Sequence, residues 1–164
     1  METSTDILIV GAGASGLSAA LAAQAEGASV KVIDKCMKLG GTAAISGGVV
    51  WMPNNHVMRA EGHEDSAKAG KEYFMSLDHG DLREPILDVL LREGPEVLSK
   101  LDEMNALSLS LLNGYPDYYL DRPGAKPEGG RALDNELFSF KDLGEWADKV
   151  YTCLLYTSPS PRDS

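Results

Sequence analysis

An α/β fold with helical additions is predicted by three features of this sequence. An apolar run, Ile7-Leu8-Ile9-Val10, breaks into Gly11-Ala12-Gly13-Ala14-Ser15-Gly16 and then into the alanine-rich segment Leu17 to Glu26. A second apolar run, Val30 to Ile33, ends on Asp34. Farther on, apolar residues recur at near-helical spacing between Glu64 and Leu101. The first two features spell strand, tight turn, helix and strand, and the third adds helices.

The segment Asp6 to Val10 is short and rich in β-branched residues, which predicts a strand buried on both faces of a parallel sheet. A bare GxGxxG is weak evidence, and its surroundings give it meaning. It leaves a strand and opens a helix, and the acidic Asp34 closes a second strand about 20 residues on, where a ribose hydroxyl needs an acceptor. Gly11 permits the sharp turn, Gly13 lets backbone approach a pyrophosphate, and Gly16 lets helix and strand pack closely. The first-turn amides, Ala14 and Ser15 among them, face the phosphates with the positive end of the helix dipole. Ala20 supplies a small residue against the sheet, and Gly27 stops the helix. Val30, Val32 and Asp34 share one strand parity. Residues 5–34 thus read as a Rossmann-like βαβ unit for a dinucleotide. The plainer alternatives are a βαβ unit without a ligand and, for Asp34, a solvated charge at a strand end.

Residues 35–55 form a second glycine-rich loop. Its carriers are Asp34-Lys35, Gly40-Gly41-Thr42-Ala43-Ala44-Ile45-Ser46-Gly47-Gly48 and Val49-Val50-Trp51-Met52-Pro53-Asn54-Asn55. In these residues the chain resembles the FAD-binding family that includes fumarate reductase flavoproteins and 3-oxosteroid dehydrogenases. The resemblance implies a glutathione-reductase-type FAD-binding domain in which the βαβ unit holds the ADP half and the second loop runs along pyrophosphate, ribityl chain and ring. Its implied cofactor contacts are Gly11, Gly13, Ala14, Ser15, Gly16, Asp34, Lys35, Gly40, Gly41, Thr42, Ser46, Gly47 and Gly48. Glycine amides and the hydroxyls of Thr42 and Ser46 suit that contact chemically. The family more often carries Glu where this chain has Asp34. Its quinone-linked members attach FAD through a histidine, and that position falls on Gly41 here, which implies non-covalent FAD. Cys36 reads as a bystander thiol, since no partner cysteine lies nearby in sequence.

The helical region, 64–104, is expected as one helix from Glu64 to Asp78, a second from Asp81 through Leu91, and a third that starts afresh at Gly94-Pro95. His56, His63 and His79 lie near carboxylates such as Glu61 and Glu64 but lack the i, i+4 arrangement of a helical metal site, so no metal ligands are assigned. Leu107 to Leu112 alternates with Ser108 and Ser110 as a half-exposed strand does.

Residues 113–131 are dense in aromatic, Gly and Pro residues, beginning with Tyr115-Pro116-Asp117-Tyr118-Tyr119 and closing on Gly129-Gly130-Arg131. Such a loop either packs as an aromatic turn or lines a site on a rigid scaffold. The Pro-Asp-Tyr-Tyr sequence is similar to that of 3-oxosteroid 1-dehydrogenases, in which a tyrosine of this segment assists catalysis. The resemblance puts that role on Tyr118, with Tyr119 as the near alternative. Asp142 to Tyr151 is expected as a helix with Leu143, Trp146, Ala147 and Val150 on one face.

Composition narrows the partners. Twenty-five acidic residues against 15 Lys and Arg argue against a nucleic-acid backbone as partner. No apolar run reaches the roughly 18 residues of a membrane span. The start, Met1 to Asp6, lacks the features of a signal peptide, and two cysteines, Cys36 and Cys153, build no disulfide framework, so a cytoplasmic protein is expected. The tail from Cys153 to Asp163 is similar to the conceptual translation of a transposase-type sequencing adapter, the alternative being a Ser/Pro-rich terminus. On the adapter reading, residues 153–164 are foreign and the domain is truncated near Thr152.

Together these features predict an FAD-dependent dehydrogenase that removes hydride and a proton from a 3-oxosteroid or a similar small apolar enone or ketone. The resemblance places the main tyrosine base and the groups holding the 3-keto oxygen past Thr152, so the polypeptide as written is expected to be inactive alone. Two other readings stay open: a fumarate-reductase-like flavoprotein reducing an activated alkene, and a non-catalytic nucleotide-binding module.

Overall fold

The computed structural model describes residues 4–151. They form two compact units. One comprises the residues up to Gly48 together with those from Phe138 onward, and the other is Val49–Leu137. The tail from Cys153 lies outside the described residues.

In the first unit, β1 (Ile7–Val10) and β2 (Val30–Ile33) pair in parallel, with Ile7 opposite Val30 and Val10 opposite Ile33. The crossover between them is α1 (Ala14–Ala25), which packs on both strands. This is the expected βαβ unit. A reciprocal clamp sets its register: the Ser29 amide and hydroxyl donate to Asp6 Oδ2 at 2.8 and 2.6 Å, and the Asp6 amide donates to Ser29 Oγ at 3.0 Å. Gly27, at φ 85°, ends the helix as predicted, its amide donating to Gln24 O. The strand parity also holds, with Val30 and Val32 half-buried and Lys31 and Ile33 exposed.

Two expectations fail in this unit. Val10 is 79% exposed and Leu8 55%, so β1 is not buried on both faces. Burial on two faces needs a second layer and flanking strands, and the described residues of this sheet are two strands and a single covering helix. The helix expected over Asp142 to Tyr151 is likewise corrected: Phe140–Lys149 forms 3₁₀ turns broken at Gly144, whose φ of 55° and ψ of −126° cannot continue a helix. The end of this segment is tied to the second glycine loop, where the Leu39 amide donates to Lys149 O and the Tyr151 amide to Leu39 O.

The second unit is built on an antiparallel sheet in the order β3 (Val50–Trp51), β5 (Ala132–Asn135), β4 (Leu109–Leu111). Leu133 stands opposite both Val50 and Leu111. Against the sheet lie α2 (His56–Ala60), α3 (Ala67–Leu77) and α4 (Glu84–Glu103), and the core gathers Met52, Met58, Leu98, Leu111 and Leu133. Asn55 caps α2 by accepting from the Met58 amide at 2.8 Å, and Ser66 caps α3 by accepting from the Ala69 amide at 3.1 Å.

The helix expected to begin at Asp81 and to restart at Gly94-Pro95 is a single α4. Its start is delayed because Asp78 Oδ1 gathers the amides of Gly80, Asp81 and Leu82 into a loop. Pro95 sits inside it, buried on the same face as Leu87, Leu91 and Leu98. An interior proline costs about 3 kcal/mol. Burying three leucines at about 1.5–3 kcal/mol each is enough to keep the helix whole.

Candidate functional site

The glycine loop is drawn tight by backbone. The Gly11 amide extends the ladder to Ile33 O at 2.7 Å, and the buried Ala12 amide donates to Asp34 Oδ2 at 2.6 Å. A Cβ at Gly16 would lie 1.9 Å from the Gly11 carbonyl oxygen, so the turn and α1 can approach this closely only with glycine there. Gly13 is different: the nearest atom to a Cβ there would be Gly40 O at 4.0 Å, so the protein leaves open space beside it. Gly13 is the N-cap of α1, and no side chain caps that end. The amides of Ala14, Ser15 and Gly16 have no acceptor within the helix, and uncapped amides at a helix N-terminus suit an anion. An open glycine beside uncapped amides fits the pyrophosphate of a dinucleotide.

Asp34, half-buried, also accepts from the Cys36 amide at 2.8 Å through Oδ1. The amides of Ala12 and Cys36 hold its carboxyl below the ordinary carboxylate range. Asp34 therefore braces the glycine loop, a duty that the sequence did not reveal, and each oxygen keeps further acceptor capacity for a hydroxyl. Lys35 and Cys36 are exposed.

The second loop lies directly on the first. The Gly40 amide donates to Ala12 O at 2.8 Å, and Gly13 and Gly40 form a parallel bridge. Gly41 has φ 55°, and a Cβ there would sit 3.2 Å from Gly13 Cα. Thr42 precedes a 3₁₀ turn, Ala43–Ile45. The Ser46 hydroxyl is engaged locally, donating to Ala43 O at 2.8 Å and accepting from the Gly48 amide at 3.2 Å. Thr42, Gly47 and Gly48 are exposed. The structure thus brings Gly11, Gly13, Gly16, Asp34, Gly40 and Gly41 into one cluster.

The second unit holds a cavity of about 320 Å³. Trp51, Tyr73 and Phe74 line one part of it, and Tyr115 to Tyr119 line another. Trp51 meets Phe74 edge-on at 5.2 Å between centroids and leans on Tyr73 at 5.7 Å. Tyr118 is 81% exposed, and its hydroxyl pairs with that of Tyr115 at 3.2 Å. Tyr119 is 54% exposed, and its amide donates to the Tyr73 hydroxyl at 3.2 Å.

Beneath the aromatic loop is an ionic cluster that sequence reasoning missed. Arg131, buried, forks onto Asp65 with Nε and Nη2, each at 2.8 Å, and reaches Asp117 with Nη1 at 2.8 Å. Asp117 also accepts from Trp51 Nε1 at 2.7 Å and from the Lys126 amide at 2.9 Å. The guanidinium faces the Trp51 ring at 5.4 Å and the Tyr73 ring at 5.8 Å. Burial raises the Asp65 carboxyl, but hydrogen bonds from Arg131 and from the amides of Ser66 and Asn54 outweigh it and the net shift is downward. A charged residue placed directly before the buried Ala132-Leu133 strand was the available signal.

His56 is paired through Nε2 with Asp102 at 2.9 Å, a carboxylate remote in sequence rather than Glu61 or Glu64. Among the described residues no group of three or more His, Cys, Asp or Glu side chains could hold a metal ion, and no helix is long and apolar enough to cross a membrane.

Comparison with known proteins bears on both halves. The chain is 40% identical over 146 residues to 4-oxocyclohexanecarboxylate 2-dehydrogenase of Sinomonas cyclohexanicum, covering 88% of this chain and 25% of that protein. It is 39% identical over 140 residues to 3-oxosteroid 1-dehydrogenase of Mycobacterium tuberculosis, covering 85% of this chain and 24% of that protein. The chain thus spans about a quarter of the length of the curated relatives it matches. Among solved structures, 3-ketosteroid delta1-dehydrogenase from Sterolibacterium denitrificans, in complex with 1,4-androstadiene-3,17-dione, superposes with a TM-score of 0.78 at 35% identity over 91% of this chain and 26% of that one. The model of the FAD binding domain matches residues 6–159, and the chain belongs to that family.

Proposed function

We propose that this sequence supplies the nucleotide cradle and part of the substrate cavity of an FAD-dependent dehydrogenase that desaturates a flat, apolar cyclic ketone of the 3-oxosteroid kind. On this reading residues 5–34 are a Rossmann-like, glutathione-reductase-type unit for the ADP half. Gly11, Gly13, Ala14, Ser15 and Gly16 hold the pyrophosphate with backbone amides, and Asp34 and Lys35 meet the ribose. Gly40, Gly41, Thr42, Ser46, Gly47 and Gly48 run along the rest of the cofactor. The cofactor is held non-covalently, because Gly41 offers no side chain and its φ of 55° and contact with Gly13 disfavour one.

The observation that carries the substrate reading is the aromatic cavity with tyrosine hydroxyls among its lining. Bound FAD supplies the hydride acceptor. The chain's own part is to stack a flat ring against Trp51, Tyr73 and Phe74 and to place Tyr118 as an auxiliary to proton removal, with Tyr119 as the alternative. The names of the relatives share one chemistry, a new double bond formed beside a ring ketone. Such a reaction removes the acidic hydrogen next to the carbonyl as a proton and its neighbour as hydride.

The lining favours this over reduction of a dicarboxylate-like alkene. No Lys or Arg is among the described residues lining the cavity, and Arg131 is committed to Asp65 and Asp117. The test is to incubate the flavin-loaded enzyme carrying this sequence with a 3-oxosteroid and an artificial electron acceptor, and to look for product by mass. Loss of two hydrogens supports the reading. An unchanged steroid, with reduction of an activated alkene instead, would refute it.

A further inference from the structure

Asp117 is buried, only 5% exposed, yet it lies on the aromatic loop between Pro116 and Tyr118, both of which line the cavity. Its two oxygens point to different parts of the cavity wall. Oδ1 accepts from Trp51 Nε1 at 2.7 Å, and Trp51 belongs to the strand β3. Oδ2 accepts from Arg131 Nη1 at 2.8 Å and from the Lys126 amide at 2.9 Å, which closes the far limb of the loop. The Asp117 amide donates back to Lys126 O at 3.3 Å. One side chain thus ties the indole on β3 to the backbone that carries Pro116 and Tyr118.

Charge balance does not call for this carboxylate. Asp65 already takes the Arg131 guanidinium through a fork, so Asp117 leaves the three side chains with a surplus negative charge, which burial makes costly. What calls for it is acceptance on both oxygens. Indole, guanidinium and amide N–H groups donate only, and an Asn side chain has one accepting oxygen where the site uses two. We propose that Asp117 is a positioning residue for substrate selection, holding Trp51 and the aromatic loop at one spacing so that the cavity prefers a flat ring ketone over a puckered one. The proposal rests on the reading of this cavity as the substrate's. Flat rings gain most from an aromatic wall at close contact, and a gap of about 0.5–1 Å forfeits a quarter to a half of the dispersion attraction.

The test uses the flavin-loaded full-length enzyme that carries this sequence, with two probes: a cyclic 3-ketone whose ring is flattened by conjugation, and its saturated, puckered counterpart. In Asp117→Asn the remaining oxygen serves Arg131 and the Lys126 amide, and the NH2 group meets Trp51 Nε1–H donor to donor. KM for the flat ketone is expected to rise about tenfold, with kcat falling no more than about threefold and KM for the puckered ketone within about threefold. Trp51→Phe keeps an aromatic ring and removes the opposing donor. Adding Asp117→Asn to Trp51→Phe should therefore leave the preference for the flat ketone where Trp51→Phe alone puts it. That comparison decides the matter even where Asp117→Asn by itself fails to fold. An unchanged preference in flavin-loaded Asp117→Asn, or a further loss in the double variant beyond Trp51→Phe, would overturn the role of Asp117 while leaving the cavity as the substrate's. A wild-type enzyme that desaturates neither ketone would overturn the reading of the cavity, and the role of Asp117 with it.

Discussion

Arg131 and Asp65 meet through two parallel hydrogen bonds of 2.8 Å, with side chains no more than 1% exposed, although 66 residues separate them in sequence. The pair draws the strand β5 to the start of α3, and through Asp117 and Trp51 it supports the aromatic wall. Removing one partner leaves the other charge buried without compensation, which costs about 3–5 kcal/mol. Asp65→Asn is therefore expected to be strongly destabilised in urea titrations, and Arg131→Lys nearly as much, since an ammonium cannot make the fork.

The same carboxyl sets a pH dependence. Asp65 is held below its ordinary value, so its contribution to stability is fully present above the unfolded value of about 3.9 and is lost as pH falls through the lower folded value. Stability of the wild type should decline below about pH 4, and Asp65→Asn should decline less steeply over that range. Unfolding free energy measured from pH 2 to 6 by circular dichroism checks both slopes.

The Gly16 contact makes a local demand. A methyl there would lie 1.9 Å from a backbone oxygen that has no rotamer to escape into. Gly16→Ala is expected to cost about 1–3 kcal/mol of stability and to open the turn that aims the first amides. The affinity for FAD, read by flavin fluorescence, should fall by about tenfold or more, each tenfold being about 1.4 kcal/mol. A Cβ at Gly13 would come no closer to the rest of the fold than Gly40 O at 4.0 Å, so Gly13→Ala should spare stability and weaken FAD alone.

Non-covalent attachment has a simple consequence. Acid precipitation of the flavin-loaded protein is expected to leave the yellow colour in the supernatant, and a Gly41→His variant should not retain it in the pellet. The φ of 55° and the nearby Gly13 backbone hold that position in a geometry a side chain adopts poorly.

The βαβ unit was legible because its cause is local: apolar runs, a glycine turn and a helical stop follow one another along the chain. Elements whose cause is tertiary were not. β3 spans only Val50–Trp51 and carries no pattern of its own, and it exists because Leu133 and Ala132 lie opposite it. Pro95 reads as a break, yet burial beside Leu91 and Leu98 carries α4 through it. At the cavity, Tyr118 stood out by composition and resemblance. The Arg131 cluster did not, because its significance lies in partners that only folding brings near.

The central claim is that Tyr118 assists proton removal from a ring ketone in an FAD-dependent dehydrogenase that carries this sequence. Its most direct test is anaerobic bleaching of the flavin absorbance by a cyclic 3-ketone in the full-length enzyme that carries this sequence, as wild type and as Tyr118→Phe, with FAD content measured in both. The expected result is bleaching in the wild type, slowed by about 10²–10⁴ in the variant at unchanged FAD content. Bleaching at the same rate in both, or none in a fully flavin-loaded wild type, would contradict it.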